Sequence, residues 1–305
     1  MTIIGHSKII KILDRSIKKE KVAQAYIFSG PMGVGKFTVA LNFSKKLLGI
    51  GPSTGSISSL QARSGRVNPD LIIITPEVEE KKGILKKKDI KIEKIRELQH
   101  LIALSSSGGQ YRVVIIDDAD RLNKASQNAL LKTLEEPNRG LVLILVVQDE
   151  KKILPTIMSR CQKIKFGTVM RSDLEKIIPS GTKEKEEIIF WSLGRPGLMV
   201  ELSKNNDELD FRIEALGLLK GLFTKNIPEK FSFAEKLSKD INLAEKTLNI
   251  WMVALRESLL GEKRLINFSQ SGSLKLIDEI GESLGIIKNT NSNAKLILEN
   301  LFLNF

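Results

Sequence analysis

Cysteine is nearly missing from this sequence: Cys161 is the single one in 305 residues. One thiol cannot close an internal disulfide or build a multi-cysteine zinc centre, and its scarcity fits a reducing cytoplasm. Neither of the two histidines, His6 and His100, lies near Cys161 in sequence, which argues against a thiol nucleophile. Long apolar runs are missing as well. The stretch Leu141 to Val147 is among the longest, far short of a membrane span, so no membrane partner is expected. The opening MTIIGHSKIIKILDR lacks a basic region followed by an unbroken apolar stretch, and no secretory leader is expected from it. Internal repeats and low-complexity tracts are also wanting. Aromatic residues make up 5% of the chain, and few interleave with the lysines.

What is present describes a globular protein of two or three domains, with 42% hydrophobic residues to build cores. The net charge of +12 is placed unevenly. Residues 1–168 carry 29 Lys and Arg against 16 Asp and Glu, whereas residues 169–305 carry 19 against 20. The positive field therefore belongs to the first part, where it serves either general solubility or a surface facing nucleic acid or an acidic partner.

Apolar positions Ile9, Ile10, Ile12 and Leu13 among lysines predict an amphipathic helix over 6–20. AYIFSG (25–30) predicts a strand running into a glycine loop, and FTVALNFSKKLLG (37–49) a helix closed by Gly49. Residues 50–67, rich in Gly and Ser, predict a surface loop. NPDLIIITPE (68–77) predicts a second strand. Seven lysines between positions 81 and 94 read as a solvated face. A helix follows with Ile92, Ile95, Leu98 and Leu101/Ile102 on one side, broken at SSSGGQ (105–110). YRVVIIDDAD (111–120), LVLILVVQD (141–149) and CQKIKF (161–166) predict three more strands, with a helix over 121–137 stopped before Pro137. The run 141–147 has no polar residue and is expected at the centre of a parallel sheet. Strands alternating with helices give an α/β sheet covered by helices. Beyond about residue 168 only helices are predicted. Three domains are expected: an α/β phosphate-loop module over 1–168, a small helical lid over 169–206 and an all-α domain over 207–305.

The segment GPMGVGKFT (30–38) sits between strand and helix, as a phosphate-binding loop requires. Successive backbone N–H groups at a helix N-terminus wrap phosphates there. Gly30, Gly33, Gly35, Lys36 and Thr38 are the candidate residues of that loop, with Lys36 reaching the phosphates. The hydroxyl that holds magnesium in such loops is replaced by Phe37. Thr38 is no simple substitute, because one step along a helix turns the side chain by about 100°. Asp117, at the end of an apolar strand, is the candidate acid of the same site. Asp118 takes the place where hydrolysing enzymes keep a glutamate, one methylene too short to polarise water well.

LLKTLEEP (130–137), the preceding strand and MSRC (158–161) together resemble the bacterial clamp-loader AAA+ subunits of DNA polymerase III. The resemblance extends from HSKIIKILDRSIKKEKVAQAYIFSGPMGVGK through NPDLIIITPE to NSNAKLILENLFLNF, nearly the whole chain. It implies an AAA+ phosphate-loop module, a helical lid and a helical collar that oligomerises. It also implies Arg160 as an arginine finger acting in trans on a neighbour's ATP site, with Ser159 and Cys161 positioning the turn. The chain departs from the ATP-hydrolysing pattern at four places: Phe37, Asp118, the missing threonine around Val147–Gln148, and Gly197 where a lid arginine would fall, with Arg195 two residues away. These departures favour the delta-prime branch over the motor branch. They imply ATP bound, if at all, without hydrolysis, and they weaken the case for Mg²⁺. The family's zinc cysteines are absent between the loop and NPDL, so no zinc and no other metal is expected. The partners implied are the motor subunits and the clamp-opening delta subunit in a pentameric ring, the sliding clamp and primed DNA. The rivals are a motor subunit of the same family, a small-molecule phosphoryl transferase and a plain DNA-binding protein.

Overall fold

The computed structural model describes residues 3–51, 69–81, 84–103, 110–178, 181–260, 270–289 and 292–305. The loop expected over 50–67 lies outside them apart from its first two residues, and the break at 105–110 lies outside them apart from Gln110. The chain divides into two compact units, residues 1–201 and 202–305.

In the first unit, α1 (Ser7–Lys18), β1 (Ala25–Ser29), α2 (Lys36–Leu47) and β2 (Leu71–Ile74) are followed by a hairpin, β3 (Val78–Lys81) and β4 (Ile84–Lys87). Then come α3 (Ile92–Ala103), β5 (Arg112–Ile116), α4 (Lys124–Glu135), β6 (Leu141–Val147), α5 (Pro155–Met158) and β7 (Gln162–Lys165). Helices α6 (Arg171–Glu175), α7 (Lys185–Ser192) and α8 (Pro196–Leu202) close the series. The lid expected over 169–206 thus falls, to residue 201, within the first unit. The second unit is built from α9 (Asn206–Leu222), α10 (Ile227–Ser238), α11 (Ile241–Leu259), α12 (Gln270–Asn289) and α13 (Ala294–Leu303). No helix among the described residues is long and apolar enough to cross a membrane.

Five strands form one parallel sheet in the order β2-β5-β6-β1-β7. The wholly apolar β6 takes the middle place, as its composition required. A strand alternates its side chains between faces, and here both faces are dry. Ile27, Val114, Ile116, Leu143 and Leu145 pack on one side with Ile95 and Leu98 of α3 and Leu130 of α4. Tyr26, Phe28, Val113, Ile115 and Ile144 pack on the other with Leu13 of α1 and Val39, Ala40 and Phe43 of α2. The predicted helix over 121–137 starts three residues later than expected, because Asn123 caps it by accepting the Ser126 N–H at 2.8 Å.

In the lysine-dense stretch Lys87, Lys88 and Lys91 are exposed, and the segment also carries regular structure. Part of it pairs as an antiparallel hairpin, Val78 opposite Lys87 and Lys81 opposite Ile84.

One buried ion pair ties the sheet edge to a helix end. Arg112, at the start of β5, donates from Nε and Nη2 to Asp70 Oδ1, each at 3.2 Å. Its Nη1 donates to the carbonyls of Leu101 and Ile102 at the C-terminus of α3, at 2.9 and 3.3 Å. There the cation also meets the negative end of the helix dipole. Removing one partner strands a buried charge, so Asp70→Ala should destabilise the protein by about 3–5 kcal/mol. Urea unfolding checks this; a loss below about 1 kcal/mol would be the behaviour of an exposed pair instead.

Candidate functional site

Parallel strands that run the same way end on the same edge, and the candidate site lies on that edge. The glycine loop leaves β1, Asp117 and Asp118 leave β5, and Gln148 leaves β6. Together with the tip of β4 they line a pocket of about 230 Å³ whose lining includes Gly33, Gly35, Lys36, Thr38, Asp117, Asp118, Lys87, Gln148 and Gly197. Of the residues predicted from sequence, Gly33, Gly35, Lys36, Thr38 and Asp117 are brought together here. Phe37 lines the same pocket. Gly30 and Arg160 are not part of its lining.

Gly30 serves the fold of the loop. Its φ is +148°, and a Cβ there would stand 2.2 Å from the backbone oxygen of Phe166, which follows β7. No side chain fits. Gly35 caps α2 with φ +97°, turning the chain so that the helix N-terminus faces the pocket. His6 Nε2 donates to the Val34 carbonyl at 2.8 Å, bracing the loop from the N-terminal segment.

Lys36 is buried, and its ammonium donates to the carbonyls of Gly30 and Pro31, both at 2.7 Å. Burial lowers its pKa, while Asp117, Asp118 and Asp120 oppose the shift. The two strand-end acids differ from one another. Burial first, and the Asp118 carboxylate second, raise Asp117 from an ordinary 3.8 to about 6. For Asp118 burial also pushes upward, but it is outweighed: the Lys87 ammonium and the Gln148 amide bond its two oxygens and hold the carboxyl below its usual range. Gln148 Nε2 donates to Asp118 Oδ1 at 2.9 Å, and Lys87 Nζ donates to Oδ2. Asp118 adopts left-handed backbone, φ 49°.

These donors do not fit a magnesium ion well. Phe37 offers no oxygen, both oxygens of Asp118 are engaged within the chain, and burial raises Asp117 to about 6, so that its charged form is disfavoured relative to an ordinary aspartate. Among the described residues no group of three or more His, Cys, Asp or Glu could hold a metal.

The lid meets the loop through a backbone hydrogen bond. The Gly197 N–H donates to the Gly33 carbonyl at 2.7 Å, and a Cβ at Gly197 would stand 2.9 Å from that oxygen. Position 197, where the family resemblance would have an arginine, has no room for one.

Arg160 follows α5 on the surface. Its Nη1 donates to the Thr156 carbonyl at 3.0 Å and its Nη2 to Glu135 Oε1, at the end of α4, at 2.9 Å. The neighbouring Cys161 thiol is buried and pushed up to about 11 by that burial, which removes it as a nucleophile.

Lys87 was missed in the sequence. Two short runs flanking Lys82-Gly83 signal a hairpin, but nothing in a lysine-rich string marks which ammonium turns inward.

The model of the family described as "DNA polymerase III, delta subunit" matches residues 5–170, more than half of the chain. The DNA polymerase III subunit delta' of Bacillus subtilis is 28% identical over 221 residues, 70% of this chain and 64% of its own length. This chain therefore spans less than two thirds of that relative. The DNA polymerase III subunit gamma of Buchnera aphidicola subsp. Schizaphis graminum is 31% identical over 326 residues, covering 98% of this chain and 84% of its own. The solved structure of a DNA polymerase III gamma subunit-related protein from Thermotoga maritima is alike in fold, with a TM-score of 0.50 at 18% identity over 96% of this chain and 97% of its own.

The unlike acids yield a pH test. An acid whose folded pKa stands above its unfolded value removes stability as pH rises from about 4 to about 6 and removes no more beyond. Asp117→Asn should therefore stabilise the protein above about pH 7, by up to about 3 kcal/mol, with the gain fading below about pH 4. Thermal melts across that range check it; a gain independent of pH would show that Asp117 keeps an ordinary pKa.

Proposed function

The chain belongs to the DNA polymerase III, delta subunit family, and from that premise we propose that it works as a delta-prime-like subunit of the bacterial clamp loader. Its part would be to complete a neighbouring motor subunit's ATP site with Arg160, in a pentameric ring that also holds the clamp-opening delta subunit and loads the sliding clamp on primed DNA. Its own glycine loop would keep a nucleotide without turning it over.

One observation carries the reading: Arg160 is exposed, stands outside the chain's own pocket, and is aimed by Thr156 and Glu135 from a short turn. A guanidinium presented in this way can reach another subunit's phosphates, where it stabilises charge that develops during transfer. The pocket supports the same division of labour. Phe37 offers no metal ligand, and Asp118 is tied to Lys87 and Gln148 rather than free to polarise water. Positive charge in the first unit favours a place near DNA. Arg121, Lys124, Lys151 and Lys152 line an open cleft of about 510 Å³ at the start of α4, together with Asp89 and Asp120. Phosphate contacts from such groups weaken as salt rises.

The reading as a motor subunit keeps one specific support, the gamma-type relative that spans nearly the whole chain. ATP turnover by the isolated protein, abolished by Lys36→Ala, would establish it.

The deciding experiment reconstitutes the chain with motor and delta subunits and compares wild type with Arg160→Ala after assembly has been checked. Single-turnover hydrolysis at the adjoining site should fall by about 10²–10³-fold, the loss seen when one stabilising donor is removed. Unchanged hydrolysis would sink the role given to Arg160.

A further inference from the structure

A phosphate-loop site has to neutralise two kinds of negative charge, the ligand's phosphates and the acids at the strand end, and a divalent metal commonly bridges them. Here the strand-end acid already has a cation. Lys87 sits at the end of β4, exposed along its length, yet its ammonium is seated on Asp118 inside the lining of the glycine-loop pocket. The placement is built from several sides. The Lys87 carbonyl accepts Arg121 Nη1 at 2.7 Å, and the next residue, Lys88, donates its N–H to the Glu77 carbonyl at 2.8 Å. The hairpin pairing holds Lys87 opposite Val78. Gln148 takes the other Asp118 oxygen, so that carboxylate has no oxygen left without a partner from the chain. In the same lining Phe37 stands in place of a hydroxyl.

We infer that the Lys87 ammonium is the resident cation of this pocket, performing on Asp118 the neutralising role of a divalent metal, and that the pocket takes the polyphosphate of a nucleotide free of magnesium. The charged groups lining it balance without any metal: Lys36 and Lys87 against Asp117 and Asp118. A phosphate entering beside the loop N–H groups meets two ammonium groups, one buried on the loop and one on a flexible stem that can lean from Asp118 toward the ligand. The pocket volume of about 230 Å³ is below the roughly 300–1,000 Å³ usual for whole small-molecule sites. It suits a phosphate chain, with the nucleoside lying outside.

The inference rests on the loop retaining a nucleotide and not on Arg160, so it is tested by binding. The full chain is titrated calorimetrically with ATP and with ADP, in magnesium and in EDTA. Wild type, Lys87→Met, Lys87→Arg and Lys36→Ala are compared, with circular dichroism melts to check folding. Wild type should bind equally well in both buffers. Lys87→Met should lose about tenfold or more in EDTA and recover part of it in magnesium, while Lys87→Arg should restore metal-free binding. Binding that depends on Lys36 but needs magnesium in the wild type, or that Lys87→Met leaves unchanged, overturns the inference alone. No Lys36-dependent binding in either buffer overturns the retained-nucleotide reading and this inference with it.

Discussion

The parallel direction of the five strands is the constraint on which everything else in the first unit depends. Parallel pairing needs a crossover between neighbours and helices over both faces, and the sequence supplies β6 as a run with no polar side chain to object. Once β1, β5 and β6 run together, their exits must meet. The glycine loop, Asp117 with Asp118, and Gln148 are far apart in the chain and adjacent in space for that reason. The pocket is thus a by-product of topology, present whether or not chemistry is done in it.

What the chain then does with that edge is a matter of charge. Lys36 is folded back on its own loop carbonyls, Lys87 is folded onto Asp118, and Arg160 is held by the glutamate that ends α4. Each cation has an internal partner in the structure, but the three differ in exposure. Lys36 is buried, whereas Lys87 and Arg160 lie at the surface on long stems; Lys87 reaches a buried carboxylate, while the Arg160–Glu135 pair is exposed on both sides and of the kind that holds weakly. A weak hold directs a side chain without committing it.

Much of this was legible in the sequence because it rests on local patterns. Apolar runs and helix-period stripes gave all five strands of the sheet and the longer helices between them, though not the short α5, and the glycine spacing gave the loop. The TLEEP and SRC motifs carried the family resemblance, whereas the bond between Arg160 and Glu135 came only with the structure. Less legible was whatever depends on a contact between distant segments. The hairpin carrying Lys87 has its pairing partner in a run of charges, where alternation carries no hydrophobic signal. The Arg112–Asp70 pair is set by strand register, which no local window contains. Gly30 reads as a phosphate-binding glycine from its spacing, but the nearby Phe166 carbonyl is what forbids it a side chain.

The hydrogen bond between Gly197 and Gly33 has a mechanical consequence. An arginine at position 197 would sense a ligand through a long side chain, a lever whose tip can travel while its base stays still. A peptide-to-peptide contact has no lever. With amide touching carbonyl, a ligand that reshapes the loop ahead of α2 has to break this bond or carry the start of α8 with it. The bond itself is made by no side chain, so the substitution that tests it most directly is loss of the glycine at 197, where a Cβ would stand 2.9 Å from the Gly33 oxygen.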